Sequence, residues 1–137
     1  VMVQKEAAQR ICAEVGTRQS GAVTVSVNYY AEPEMLFGVS AGSFMPAPKV
    51  DSAVIRLNVR KEPPVKVESE KLLFNVIKAA FSQRRKTLAN SLSSGLSVEK
   101  GKINELLINS GVETNARAEK LTLDDFANIT NNLQEMM

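Results

Sequence analysis

Apolar residues follow two different rhythms along the chain. Near the start they come in short runs. Val1-Met2-Val3-Gln4 reads as the tail of a strand. Lys5 to Val15 then places Ala7, Ala8, Ile11, Cys12 and Val15 at helical spacing, with Gly16 as the stop. A strand that feeds a helix directly is half of a βα unit. A polar loop from Thr17 leads to Ala22–Tyr30, whose β-branched residues alternate and by local pattern argue for a strand. Ala31-Glu32-Pro33-Glu34 interrupts that pattern. Met35-Leu36-Phe37-Gly38-Val39 reads as a short apolar strand, and Ser52–Arg60 alternates as another.

After residue 60 the rhythm changes. The charged segment from Arg60 to Glu68 carries Pro63-Pro64 and has the composition of a semi-rigid linker. Beyond it the period is helical. Ser69 can cap a helix that turns Leu72, Leu73, Val76, Ile77, Ala80 and Phe81 to one side. The run from Ser82 to Leu92 either continues it or opens a second helix, and Ser93-Ser94-Gly95 is expected to end that section. A further helix covers about Val98 to Asn109, with Gly111 as its stop. Thr122-Leu123-Asp124-Asp125 has the form of a capping box, with Asp for the usual Glu, before a last helix bearing Phe126, Ile129 and Leu133.

Composition narrows the possibilities. With 44% hydrophobic and 23% charged residues, the 137-residue chain has the makeup of a globular protein. No apolar run approaches the roughly 20 residues that cross a bilayer. One cysteine, Cys12, excludes an internal disulfide and suits a reducing compartment. It reads as a small buried hydrophobe. The absence of histidine excludes histidine-based nucleophilic catalysis in this chain and argues against a zinc site. A net charge of +2 means that any nucleic-acid surface must be a local cluster.

Two stretches could carry chemistry. In Phe44-Met45-Pro46-Ala47-Pro48-Lys49-Val50-Asp51, alternate prolines fix the backbone and bias their neighbours away from helix, giving a stiff arm that runs into a strand. Such an arm could hold Phe44 against a base taken out of its stack. The same pattern also fits a plain connector with Phe44 in the core. Arg84-Arg85-Lys86 is the strongest basic cluster. On a helix three consecutive residues span about 200°, so they cannot all face one way. They fit phosphate contact, and equally a solvated surface. Gln83 and Asn90 could add hydrogen bonds, and Lys49 and Arg117 would strengthen the surface if the fold brings them to the same side. Tyr29 and Tyr30 read as core aromatics. Glu6 and Arg10, at i,i+4, predict a surface ion pair. The seven glycines form no G-x-G-x-x-G pattern.

Three segments in order resemble one family. They are Met2-Val3-Gln4-Lys5-Glu6-Ala7-Ala8-Gln9-Arg10, Phe44-x-Pro46-x-Pro48-Lys49-Val50-Asp51-Ser52-Ala53-Val54 and Phe81-x-Gln83-Arg84-Arg85-Lys86-Thr87-Leu88. Together with Arg117-Ala118-Glu119-Lys120-Leu121 they resemble the ribosomal RNA adenine dimethyltransferases that modify small-subunit rRNA. Members use S-adenosylmethionine to dimethylate two adjacent adenines. The resemblance implies an α/β part plus an all-α part. Residues 1–60 would be the last three strands of a Rossmann-like methyltransferase sheet with their helices, the final strand lying antiparallel between the other two. Residues 61–68 would be a linker, and residues 69–137 a small helical RNA-binding domain. It also implies that Ala22–Tyr30 is a helix, against its local propensity.

The resemblance further implies that Phe44, Pro46 and Pro48 face the target adenine, and that Lys49, Gln83, Arg84, Arg85, Lys86 and Arg117 lie on the RNA side. The family's glycine-rich cofactor loop, its acidic ribose-binding residue and its Asn-Leu-Pro-Tyr motif have no counterpart in this chain. The expectation is therefore a C-terminal fragment with no catalytic, cofactor-binding or metal residue of its own. Its expected partner is the pre-ribosomal small subunit in the cytoplasm. A stand-alone RNA-binding module and a resistance-type methylase of large-subunit RNA are the alternatives. A strand edge left bare at Val1-Met2-Val3 invites pairing with another chain. A dimer or altered packing is therefore expected, and in sedimentation a monomer independent of concentration would count against it.

Overall fold

Three strands, β1 (Met2–Gln4), β2 (Ala31–Val39) and β3 (Ser52–Val59), form one sheet in the order β1-β3-β2, with β3 antiparallel to both neighbours. The computed structural model describes residues 1–43, 50–83 and 86–136. β1 passes directly into helix α1 (Lys5–Ile11), and helix α2 (Ala22–Tyr30) leads into β2. The central position of the last strand is the topology expected from the resemblance.

Two expectations need correction here. The segment Ala31-Glu32-Pro33-Glu34 does not interrupt β2; it pairs with Val59, Asn58, Leu57 and Arg56 of β3. Pro33 is tolerated because β2 is an edge strand, where alternate N–H groups have no partner in the sheet. Helix α1 ends at Ile11, short of Val15, and Gly16 takes up a left-handed turn beyond it at φ +89°. Ala8 of α1 packs on Ala53 and Ile55, with Val3, Ile11 and Cys12 around them. The opposite sheet face aligns Met2, Val54 and Phe37 across the three strands, and Met2 and Phe37 are 52% and 57% exposed.

α2 is a helix despite its alternating β-branched residues. The Thr24 hydroxyl donates to the Arg10 carbonyl at 2.6 Å and accepts from the Gly21 N–H at 3.0 Å, which fixes the helix start against the end of α1. Val25 and Tyr29 belong to the same hydrophobic cluster as the helical half. A strand would turn the adjacent residues Thr24 and Val25, both fully buried, to opposite faces and expose one of them.

The helical half comprises α3 (Glu70–Ala80), α4 (Leu88–Leu96), α5 (Lys100–Asn109) and α6 (Leu123–Met136). Its core includes Leu73, Val76, Leu92, Leu106, Phe126 and Ile129, all fully buried. Ser69 caps α3 by accepting from the Leu72 N–H at 3.1 Å. At α6 the box is reciprocal: the Thr122 N–H donates to Asp125 Oδ2 at 3.0 Å, and the Asp125 N–H donates to Thr122 Oγ1 at 3.2 Å. Segment 61–68 is docked: Val65 is buried in the core, and Asn131 accepts from the Glu68 N–H and donates to the Lys66 carbonyl. Among the described residues no helix is long and apolar enough to cross a membrane.

The Ser93-Ser94-Gly95 stretch does not end a helix. α4 runs through it to Leu96, and Ser97 closes the helix in the left-handed region at φ 56°. The glycine is there because α3 passes too close for a side chain. A Cβ at Gly95 would stand 2.6 Å from Ala79 Cβ and 2.8 Å from Ala79 Cα. On a free helix surface a glycine-to-alanine change stabilises by about 0.4–1 kcal/mol. Here Gly95→Ala is expected to reverse sign and cost about 1–3 kcal/mol, the range of an overpacked core. Thermal or urea unfolding of the variant measures it.

Candidate nucleic-acid interface

The first candidate region is the connection between β2 and β3. Val39 pairs with Ser52, so residues 40–51 close a hairpin whose ends are adjacent. Asp51 holds those ends. Its Oδ1 accepts from the Ala41 N–H at 2.9 Å, and its carbonyl accepts from the Lys5 N–H at 2.9 Å. The loop therefore leaves the sheet where β1 and β2 both finish, at their carboxyl ends. In open α/β sheets this is the end that binds ligands. Phe44, Pro46, Pro48 and Lys49 fall in this loop but lie outside the described residues.

The second region is the turn between α3 and α4. Arg84 and Arg85 also lie outside the described residues. Hydrogen bonds hold both flanks of the turn. Ser91 Oγ donates to the Gln83 carbonyl at 3.3 Å, the Lys86 N–H donates to the same carbonyl at 3.2 Å, and Gln83 Nε2 donates to Ser94 Oγ at 3.4 Å. Gln83 thus braces the turn against α4, and Lys86 is exposed. The Leu88 N–H donates to the Ala116 carbonyl at 2.8 Å. That single bond sets exposed Arg117 beside the end of the turn, although about 30 residues separate them in sequence. The backbone thus places Arg117 next to the residue bonded to Leu88, two positions past Lys86.

Other expected features resolve differently. Glu6 and Arg10 form no ion pair. The ion pairs among the described residues join Arg56 to Glu34 at 3.8 Å, across the β2–β3 ladder, and Arg60, just past β3, to Glu32 at 3.1 Å. Cys12 is half-buried against the sheet, and burial pushes its thiol above its ordinary value, the opposite of an activated nucleophile. Tyr29 is core, at 3% exposure, but Tyr30 is 51% exposed.

One side chain that the sequence did not single out ties the two tyrosines down. Glu70, in the first turn of α3, accepts from the Tyr29 hydroxyl at 3.2 Å and from the Tyr30 hydroxyl at 3.4 Å. Phe74 of α3 stacks on Tyr30 at 5.6 Å and meets Tyr29 edge-on at 5.7 Å. No spacing rule joins residues 40 positions apart, so only the fold reveals this anchor.

The whole chain can be set beside known proteins. A family model described as "Ribosomal RNA adenine dimethylase" matches residues 1–135. The chain is 44% identical over 138 residues to a ribosomal RNA small subunit methyltransferase A of Alkaliphilus oremlandii, covering 100% of this chain and 48% of that protein. It is 47% identical over 133 residues to the protein of the same description from Caldanaerobacter subterraneus, covering 97% and 49%. The chain thus spans about half the length of the relatives it matches. Among solved structures, a dimethyladenosine transferase from Plasmodium falciparum superposes with a TM-score of 0.73 at 23% identity, covering 93% of this chain and 54% of that one. The 23S rRNA methyltransferase ErmE gives a TM-score of 0.60, also at 23% identity, covering 97% and 53%. These two likenesses establish the fold.

The tyrosine anchor has a pH signature. Burial, and then the Glu70 carboxylate, push both phenols above their ordinary value of about 10. The folded state therefore holds these protons more tightly than the unfolded chain. The stabilisation is complete below about pH 10 and is lost as pH rises through the folded values. The stability difference between the parent chain and a Tyr29→Phe/Tyr30→Phe variant is expected to be constant at neutral pH and to shrink above about pH 10. Denaturant melts across that range measure it; a difference unchanged at high pH would break the link.

Proposed function

Because the chain belongs to the ribosomal RNA adenine dimethylase family, we propose that it is the carboxy-terminal half of an enzyme that dimethylates adjacent adenines of small-subunit rRNA in the cytoplasm. Residues 1–60 complete the methyltransferase sheet, 61–68 connect, and 69–137 grip RNA. The observation that carries the reading is the family match across almost the whole chain, joined to a fold in which the proline-loop hairpin leaves the carboxyl ends of two strands. Identities of 44–47% to proteins named for the small subunit, against 23% to a 23S methyltransferase, favour small-subunit over large-subunit RNA.

In this reading an adenine is flipped out of its helix and held against Phe44. Base–aromatic stacking is worth about 1–3 kcal/mol. Pro46 and Pro48 stiffen the arm, so less freedom is surrendered when the base arrives. Lys49, Arg84, Arg85, Lys86 and Arg117 contact phosphates, and Gln83 holds the turn that presents three of them. The contribution of the chain is positioning, which brings the amine into line with the methyl donor.

S-adenosylmethionine is the donor that family membership implies. The strand-to-helix turn at Gln4-Lys5 holds no glycine and has no side-chain cap, which supports a donor seat built outside this turn. No transfer step is therefore assigned to this chain. The exposed edge of β1 and the apolar pair Met2 and Phe37 support docking of a further stretch of protein, or of a second copy, against the sheet.

RNA titrations at several salt concentrations test the reading. Arg84→Ala/Arg85→Ala is expected to weaken binding to a small-subunit rRNA fragment across sequences. It should also flatten the salt dependence by about one unit for each phosphate no longer neutralised. An unchanged slope would reduce the cluster to ordinary surface. In the same experiments the 137-residue chain should transfer no methyl group to unmethylated small subunits.

A further inference from the structure

An open cleft of about 880 Å³ lies between the α1–α2 connection and the end of α3. Arg10, Arg18, Ser20, Gly21 and Ala22 form one wall, and Phe81, Ser82 and Glu119 complete the lining. The role proposed above for the basic turn does not use these residues.

Four observations converge on the first wall. Arg10 and Arg18 form no ion pair with any described carboxylate, so the cleft holds two guanidinium groups against the single carboxylate of Glu119. The nine-residue α2 begins at this wall, with Gly21 as its cap. The Gly21 N–H is taken by Thr24, and the first helical bond runs from the Val25 N–H to the Gly21 carbonyl. The N–H groups of Ala22, Val23 and Thr24 therefore have no acceptor within the helix. A Cβ on Gly21 would stand 3.8 Å from Arg10 Nη1, so the guanidinium lies over the helix start. Ser20, 7% exposed in the cleft wall, has a hydroxyl with no hydrogen-bond partner.

Unpaired guanidiniums, free helix-start N–H groups and an unsatisfied hydroxyl are the donors that a phosphate group collects. A cleft of this size has room for the sugar as well. We infer that Arg10, Arg18, Ser20 and the start of α2 form a phosphate-binding seat, and that its occupant is an RNA phosphodiester. This choice of occupant rests on the RNA-binding reading above. Ser82 borders both the cleft and the Gln83–Lys86 turn, so one strand can run from one to the other. Free phosphate shares the chemistry and is the rival source.

Two measurements on the 137-residue chain separate them, using the parent, Arg18→Gln and Arg10→Gln/Arg18→Gln. Arg18 is exposed and holds no described contact, so its single variant guards against a folding artefact. In RNA titrations the log–log salt slope is expected to fall by about 0.7–0.9 in the variants, the value of one phosphate left unneutralised. In thermal melts, inorganic phosphate is compared with chloride at equal ionic strength. A phosphate-dependent rise in the parent that vanishes in the variants, with the RNA slope unchanged, assigns the seat to a free anion and overturns the phosphodiester. No change in either measurement overturns the seat itself. If the parent binds no RNA at all, the RNA-binding reading fails, and the melts alone then decide whether the seat exists.

Discussion

The packing of α2 is the constraint on which the rest depends. Its start is hydrogen-bonded to the end of α1, its Val25 and Tyr29 are buried in the core it shares with α3, and its last turn leads straight into β2. Arg60, just past β3, donates from Nε to the Asn28 carbonyl at 2.9 Å and returns the sheet to the same helix. One nine-residue segment therefore sets the relation between the sheet that bears the proline loop and the helices that bear the basic turn. If α2 shifted, the two candidate regions would no longer hold a fixed spacing.

Much of this was legible from residue pattern because the deciding physics is local. Ser69, the Thr122–Asp125 box and Gly111 are capping elements whose partners lie within a few residues. The features that escaped the pattern are decided at long range. Ala22–Tyr30 has strand propensity but a helical environment. Gly95 reads as a helix terminator until Ala79 is seen against it. Pro33 reads as a breaker until β2 is found at the sheet edge. Glu6 and Arg10 have ion-pair spacing, yet exposed pairs gain so little that their geometry is easily given up.

The candidate site divides in the same way. Aromatic, proline and arginine residues mark the two stretches in sequence, and the function proposed above would give them a common purpose. What the sequence could not convey is adjacency. Arg117 reaches the α3–α4 turn through a backbone bond between Leu88 and Ala116. Arg10 and Arg18 line one cleft with Ser82 only because a loop and a helix end border it. Neither spacing nor charge density announces such meetings.

The near-contact of Gly95 with Ala79 has a consequence beyond stability. Two helices that touch almost backbone to backbone cannot scissor or slide without a steric clash, so α3 and α4 are locked against each other where the last turn of α4 meets Ala79. In the proposed reading, exposed Lys86, two residues before α4, is offered to a polyanion from a pair of helices whose crossing is already fixed. The conformational freedom that a floppy helix pair would surrender on association is, for α3 and α4, surrendered when the protein folds.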